Sequence, residues 1–196
     1  MWIHESFTNY SENLFVEYHF SKKEAEDYVI GCRRLVRNDS PIIGKYDRNQ
    51  SGSGDMYYKG GNMLHTLRHI INDDDKWRGI LRGLNETFWH QTVTTEQVED
   101  YISQQSGRDL KLFFDQYLRT TKIPEFHYQV VNNQLIYHFE NVVEGFSMPM
   151  RLTLDETPLT LTVSEQPQTH EHPNKITHIE VDRNFYIDVK KRMNDE

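Results

Sequence analysis

The residue of this sequence whose type and position most invite chemistry is Glu5. Between Trp2 and Tyr18, the residues Phe7, Tyr10, Leu14, Phe15 and Tyr18 recur at the three-and-four spacing of one helix face, which predicts a buried helix. Glu5 falls in the first turn of that helix, close to the apolar stripe. A carboxylate beside an apolar face is costly unless a cation meets it, and a metal ion is one such partner. The other reading of Glu5 is a helix N-terminal acid favoured by the dipole, worth a few tenths of a kcal/mol to about 1. His65 and His69 stand four apart on a predicted helix, which is metal-ligand spacing, but Thr66 occupies the place where a neighbouring base would be expected. His170-Glu171-His172 reads as a solvated loop before Pro173. The single cysteine, Cys32, excludes an internal disulfide and a cysteine-based structural zinc site, and reads as a small apolar filler.

The elements that must position these groups are helical first and extended later. Ser21-Lys22-Lys23-Glu24 has the form of a capping box opening a second helix to about Arg37, with Ala25, Tyr28, Val29, Cys32 and Leu35 inward and Asn38-Asp39-Ser40-Pro41 as its stop. A loop follows to Met56, with the run Gln50-Ser51-Gly52-Ser53-Gly54-Asp55. Loops of that length inside compact domains are usually functional or mobile. A third helix runs from near Tyr57 to about Ile71 with Met63, Leu64, Leu67, Ile70 and Ile71 as its apolar stripe. A fourth carries Trp77, Ile80, Leu81, Leu84 and Phe88. A fifth starts at Thr94-Thr95-Glu96-Gln97, and a sixth, capped by Asp109, contains Phe113, Phe114, Tyr117 and Leu118. From Phe126 the period changes to two, Asn132-Asn133 marks a hairpin turn, and six short strands follow to Val189. The pattern predicts an α+β chain: an all-α unit over 1–121 and a small antiparallel β-sandwich over 122–196, with the boundary near Ile123-Pro124.

The chain has 196 residues, with 22 Lys and Arg against 30 Asp and Glu, a net charge of −8. That acidity disfavours nucleic acid and anionic membrane as partners, because both require clustered cations. No apolar run approaches the length of a membrane span. The residues carry no address for a compartment.

Trp2-Ile3-His4-Glu5-Ser6-Phe7 resembles the segment of aminopeptidase N family zinc metallopeptidases (gluzincins) that carries the third zinc ligand, one helix after the H-E-x-x-H helix. Tyr57-Tyr58-Lys59-Gly60 is similar to the family's Tyr-x-Lys-Gly element, which carries the catalytic tyrosine. No H-E-x-x-H occurs in these residues. The resemblance implies a C-terminal piece of such an enzyme: the helical half of a thermolysin-like catalytic domain followed by a β-sandwich. It implies one zinc ion in the intact parent, peptide substrates, and removal of N-terminal residues by a zinc-activated water. Glu5 would be a metal ligand and would also help hold the substrate's α-amino group. Tyr57 would be catalytic, a neutral donor to the tetrahedral oxyanion, as against an aromatic packed at a helix start. Glu12, two turns after Glu5, would orient a zinc histidine, or else be a solvated carboxylate. His4 stands where family members often have Asn. Alone, these residues are expected neither to hydrolyse peptides nor to hold zinc tightly. Two other readings compete: a non-catalytic scaffold of the same superfamily, and an independent binding module after residue 122.

Overall fold

The computed structural model describes residues 1–44 and 52–192. Gln50 and Ser51 of the glycine-serine run therefore lie outside the described residues. The chain forms two compact units, Met1–Thr121 and a second from Lys122 onward. The first holds the helices and the second the strands, a mixed α+β organisation. Among the described residues no helix is long and apolar enough to cross a membrane.

In the first unit, helix α3 (Tyr58–Ile71) is the hub, and every residue from Lys59 to Ile71 is buried. The sequence pattern suggested one apolar stripe; instead all faces are covered, and the polar positions are accommodated by internal hydrogen bonds. Asn62 donates to the Val29 carbonyl (2.9 Å) and accepts from Arg33 Nε (2.7 Å), while Thr66 donates back to the Asn62 carbonyl (2.9 Å). Most buried polar groups in proteins are paired in this way. Asn72 closes the helix in the left-handed conformation, with φ of 54°.

Helix α1 (Trp2–His19) buries Trp2, Ser6, Tyr10 and Asn13 against this hub. The expected stripe at 7, 10, 14, 15 and 18 is thus corrected: only Tyr10 belongs to the buried face, and Phe15 and Tyr18 are exposed. Ser6 takes the inward face because its small hydroxyl side chain lets the helix lie close to α3 and donates to the Met56 carbonyl, whereas the amide of Asn13 is buried with no hydrogen-bond partner. Phe7 and Leu14 line a groove of about 620 Å³ with Leu81, Leu84 and Phe88.

Helix α2 (Lys22–Gly31) is capped by Ser21, whose hydroxyl accepts from the Glu24 amide, but it ends six residues earlier than expected and continues as a 3-10 turn over Cys32–Leu35. Tyr28 and Leu35 are consequently exposed rather than inward. Cys32 is half-buried, and burial pushes its thiol pKa up, away from reactivity. Helix α4 (Asp74–Thr87) is capped by Asp73, and α5 (Thr95–Ser106) opens with a reciprocal capping box between Thr94 and Gln97. Helix α6 (Lys111–Arg119) is preceded by Leu110 at the cap; Asp109 accepts from the Lys111 amide from one position further out.

The second unit has seven strands in two sheets. β1 (Glu125–Val131), β2 (Gln134–Glu140), β5 (Gln168–Glu171) and β7 (Asp188–Lys191) form one in the order β5-β2-β1-β7. β3 (Ser147–Leu154), β4 (Thr157–Ser164) and β6 (Ile179–Val181) form the other in the order β4-β3-β6. Two expectations are corrected here. β7 pairs with β1 in parallel, so the first sheet is mixed rather than antiparallel. The chain reaches β7 only after traversing the other sheet, and a long crossover of that kind permits parallel pairing where a short hairpin does not. His170 and Glu171 belong to strand β5, paired with β2, rather than to a solvated loop, and His172 is buried beside them. The β3–β4 link is a two-residue turn at Asp155-Glu156, both with positive φ (45° and 73°), as tight hairpins require.

Candidate functional site

Glu5 lies in the first turn of α1, its amide donating to the Met1 carbonyl at 3.2 Å. Its neighbour Ser6 is fully buried, and the Ser6 hydroxyl donates to the Met56 carbonyl at 2.7 Å. That bond joins the turn that carries Glu5 to the residue just before Tyr57. The crossing of α1 and α3 is close because Gly60 and Gly61 leave room: a methyl group at Gly60 would overlap the Ser6 hydroxyl, and one at Gly61 would overlap the Asn9 amide oxygen. The glycine of Tyr57-Tyr58-Lys59-Gly60 is thereby explained by packing.

The consequence is that Tyr57, at the N-terminus of α3, lies beside the Glu5 carboxylate. That carboxylate pushes the Tyr57 phenol above its ordinary pKa, so it remains a proton donor at neutral pH. The Tyr57 ring is 42% exposed and Glu5 is half-buried. A carboxylate and a phenol side by side at an accessible surface can accept from an ammonium or bind a cation on one side and donate to an oxyanion on the other.

Lys59 fixes this geometry from beneath. Its ammonium is fully buried and donates to Asn38 Oδ1 and the Thr120 carbonyl, both at 2.8 Å. Asp55 accepts from the backbone amides of Arg37 (2.9 Å) and Asn38 (2.6 Å), and Asn38 Nδ2 donates to the Thr121 carbonyl. Lys59 thus ties the segment after α2 and the end of α6 to the start of α3. Burial pulls the Lys59 pKa down to about 8, with Asp55 partly opposing. Its unfolded value is 10.5, so between these limits the folded chain releases the proton while the unfolded chain keeps it. Stability is therefore expected to rise with pH from about 8 towards 10.5. Urea titrations of the wild type and of Lys59→Met across this range check the sign: the variant should lose the upward slope, and an unchanged slope would assign it to another group.

The remaining candidates lie apart from this pair. Glu12 accepts from the Tyr28 hydroxyl (2.6 Å) and from Asn9 Nδ2 (3.4 Å) at the exposed side of α1. His4 is exposed on the rim of the groove. His65 and His69 meet edge to face, 4.5 Å between ring centroids, inside α3, buried. Among the described residues, the one group of three metal-ligating side chains close enough to share an ion is Glu125, His127 and Glu140 in the second unit. Glu5 therefore offers a single donor atom set. Its carboxylate stands beside a phenol. The sequence reading missed the Glu125 group, although Glu-x-His before the Asn132-Asn133 turn and His-x-Glu after it is a legible pattern.

No family model matches the chain. Over 154 residues it is 24% identical to aminopeptidase N of Lactococcus lactis subsp. lactis, a match that takes in 69% of this chain and 17% of the relative. Among solved structures it resembles the crystal structure of Legionella pneumophila aminopeptidase A in complex with aspartic acid, with a TM-score of 0.70 and 18% identity, over 98% of this chain and 24% of that one. In sequence over much of its length, and in fold over nearly all of it, the chain is aminopeptidase-related. It spans a small fraction of the proteins it matches.

Proposed function

We propose that this chain is the C-terminal part of a gluzincin aminopeptidase, with residues 1–121 completing a thermolysin-like catalytic domain and residues 122–196 forming a β-sandwich. The observation that carries the reading is the approach of Tyr57 to the Glu5 carboxylate, which brings together the two residues that the family resemblance singles out. Glu5 serves as the third zinc ligand, and its free oxygen accepts from the substrate's α-amino group, which restricts attack to the N-terminal residue. Tyr57 donates to the oxyanion that develops on the scissile carbonyl. Glu12, which lies apart from this pair, would act only by orienting a zinc histidine from two turns along α1. Zinc, when bound, supplies Lewis acidity and a nucleophilic water at neutral pH. A scaffold protein has no requirement for a phenol held on that carboxylate.

One carboxylate is not a zinc site, so the 196-residue chain alone is expected to show no turnover of aminoacyl chromogenic substrates with added zinc. A polypeptide that joins it to an H-E-x-x-H segment is expected to turn them over, and Glu5→Ala to abolish this. Turnover by the chain alone that vanished in Glu5→Ala would overturn the division of the site.

A further inference from the structure

The hairpin of β1 and β2 sets four chemically capable side chains on one face. Its register places Glu125 opposite Glu140 and His127 opposite His138, and the alternate residues Phe126, Tyr137 and Phe139 point into the core. Two carboxylates directly opposite each other repel, and a cation between them relieves that cost. His127 Nε2 lies 3.1 Å from Glu125 Oε2 and 3.4 Å from Glu140 Oε2. A tetrahedral ion with bonds of about 2.0–2.1 Å separates its ligand atoms by about 3.3–3.4 Å, so these spacings match its edges. The other oxygen of Glu140, Oε1, is held by His138 Nε2 at 3.0 Å and by the Arg192 guanidinium. That leaves Oε2 turned towards His127 and Glu125. The far nitrogen of the His127 ring, Nδ1, is buried with no hydrogen-bond partner, so the polar contacts of this imidazole are made by Nε2.

We infer that Glu125, His127 and Glu140 form a site for a divalent cation of the zinc type, with His138 a positioning residue that orients Glu140. One imidazole and two carboxylates suit a borderline ion such as Zn²⁺ better than calcium, which favours oxygen ligands alone. Three protein ligands leave a fourth position for water. The site rests on the second unit alone and is independent of the role proposed for Glu5 and Tyr57.

The test is a titration of Zn²⁺ into the EDTA-stripped 196-residue chain, followed by calorimetry and by the histidine ring resonances in a carbon–proton correlation spectrum. One equivalent is expected to shift the His127 ring. The affinity of that equivalent is expected to fall by more than about tenfold in Glu140→Gln and His127→Gln, the loss typical even of residues that only support a ligand. His170→Gln, on strand β5, is expected to leave it unchanged. An immobile His127 ring in the wild type, or undiminished affinity in Glu140→Gln, would overturn the inference, and the first of these requires no variant to fold.

Discussion

Replacing Tyr57 by phenylalanine, in a polypeptide that carries the complete zinc site, is expected to lower kcat by about 10²–10³ with little change in KM. In the proposed role the phenol proton serves charge that exists only in the transition state. Removing it subtracts from catalysis and leaves ground-state binding intact. The substitution deletes one oxygen from a ring that is 42% exposed, so the loss cannot be charged to unfolding. Steady-state kinetics on a set of aminoacyl substrates distinguish the outcomes. A large rise in KM at constant kcat would make Tyr57 a substrate-binding aromatic, and a change below about threefold would remove it from the chemistry. Tyr58→Phe is the internal control: it deletes the equivalent oxygen from the adjacent phenol, which the proposed role does not use.

The helices were legible because their signals are local. Capping residues Ser21, Asp73 and Thr94 and the left-handed Gly107 mark ends where the backbone itself demands particular side chains. The buried face of α1 was not legible, because Ser6 and Asn13 read as polar, while the burial of Ser6 depends on Gly60 of α3, more than fifty residues away. The full burial of α3 hides in the same way: Lys59, Asn62 and Arg68 break the apolar pattern, and each is satisfied by a group remote in sequence. The parallel β7 pairing is a property of topology, to which a period-two pattern is blind. Glu5 and Tyr57 could be paired from the sequence only through a family resemblance. Their meeting in space rests on the Ser6 to Met56 bond and the space at Gly60, neither of which periodicity reports.

The largest stability effect is expected at Arg68, where Arg68→Ala should cost about 3–5 kcal/mol, the range for breaking a buried ion pair on one side. Arg68 is 4% exposed in the last turn of α3. It donates two bonds to Glu17 of α1, at 2.5 and 2.9 Å, and one to Asp74 at the start of α4, at 2.7 Å. Tyr10, buried and pushed up to about 12 chiefly by that burial, shares the cluster: its hydroxyl accepts from Trp77 Nε1 at 3.1 Å and the Arg68 charge acts on it. Burial works against the charge of Arg68, but the two carboxylates outweigh it, and the guanidinium in turn holds Glu17 and Asp74 well below the usual carboxylate range. Truncation therefore strands a half-buried Glu17 and unties three helices at once. Linkage gives a second signature. Because both carboxylates have lowered folded pKa values, their contribution is present above their ordinary values of 4.5 and 3.8 and is lost as pH falls below them. The wild type should lose stability through that acid range more steeply than Arg68→Ala. All three tryptophans, Trp2, Trp77 and Trp89, lie in the first unit, so urea unfolding followed by their fluorescence reports on it without mixing in the strands. A loss below about 1 kcal/mol at neutral pH, or parallel acid profiles, would mean that the cluster is solvated in solution and that hydrophobic burial around Trp77 and Leu67 carries the unit instead.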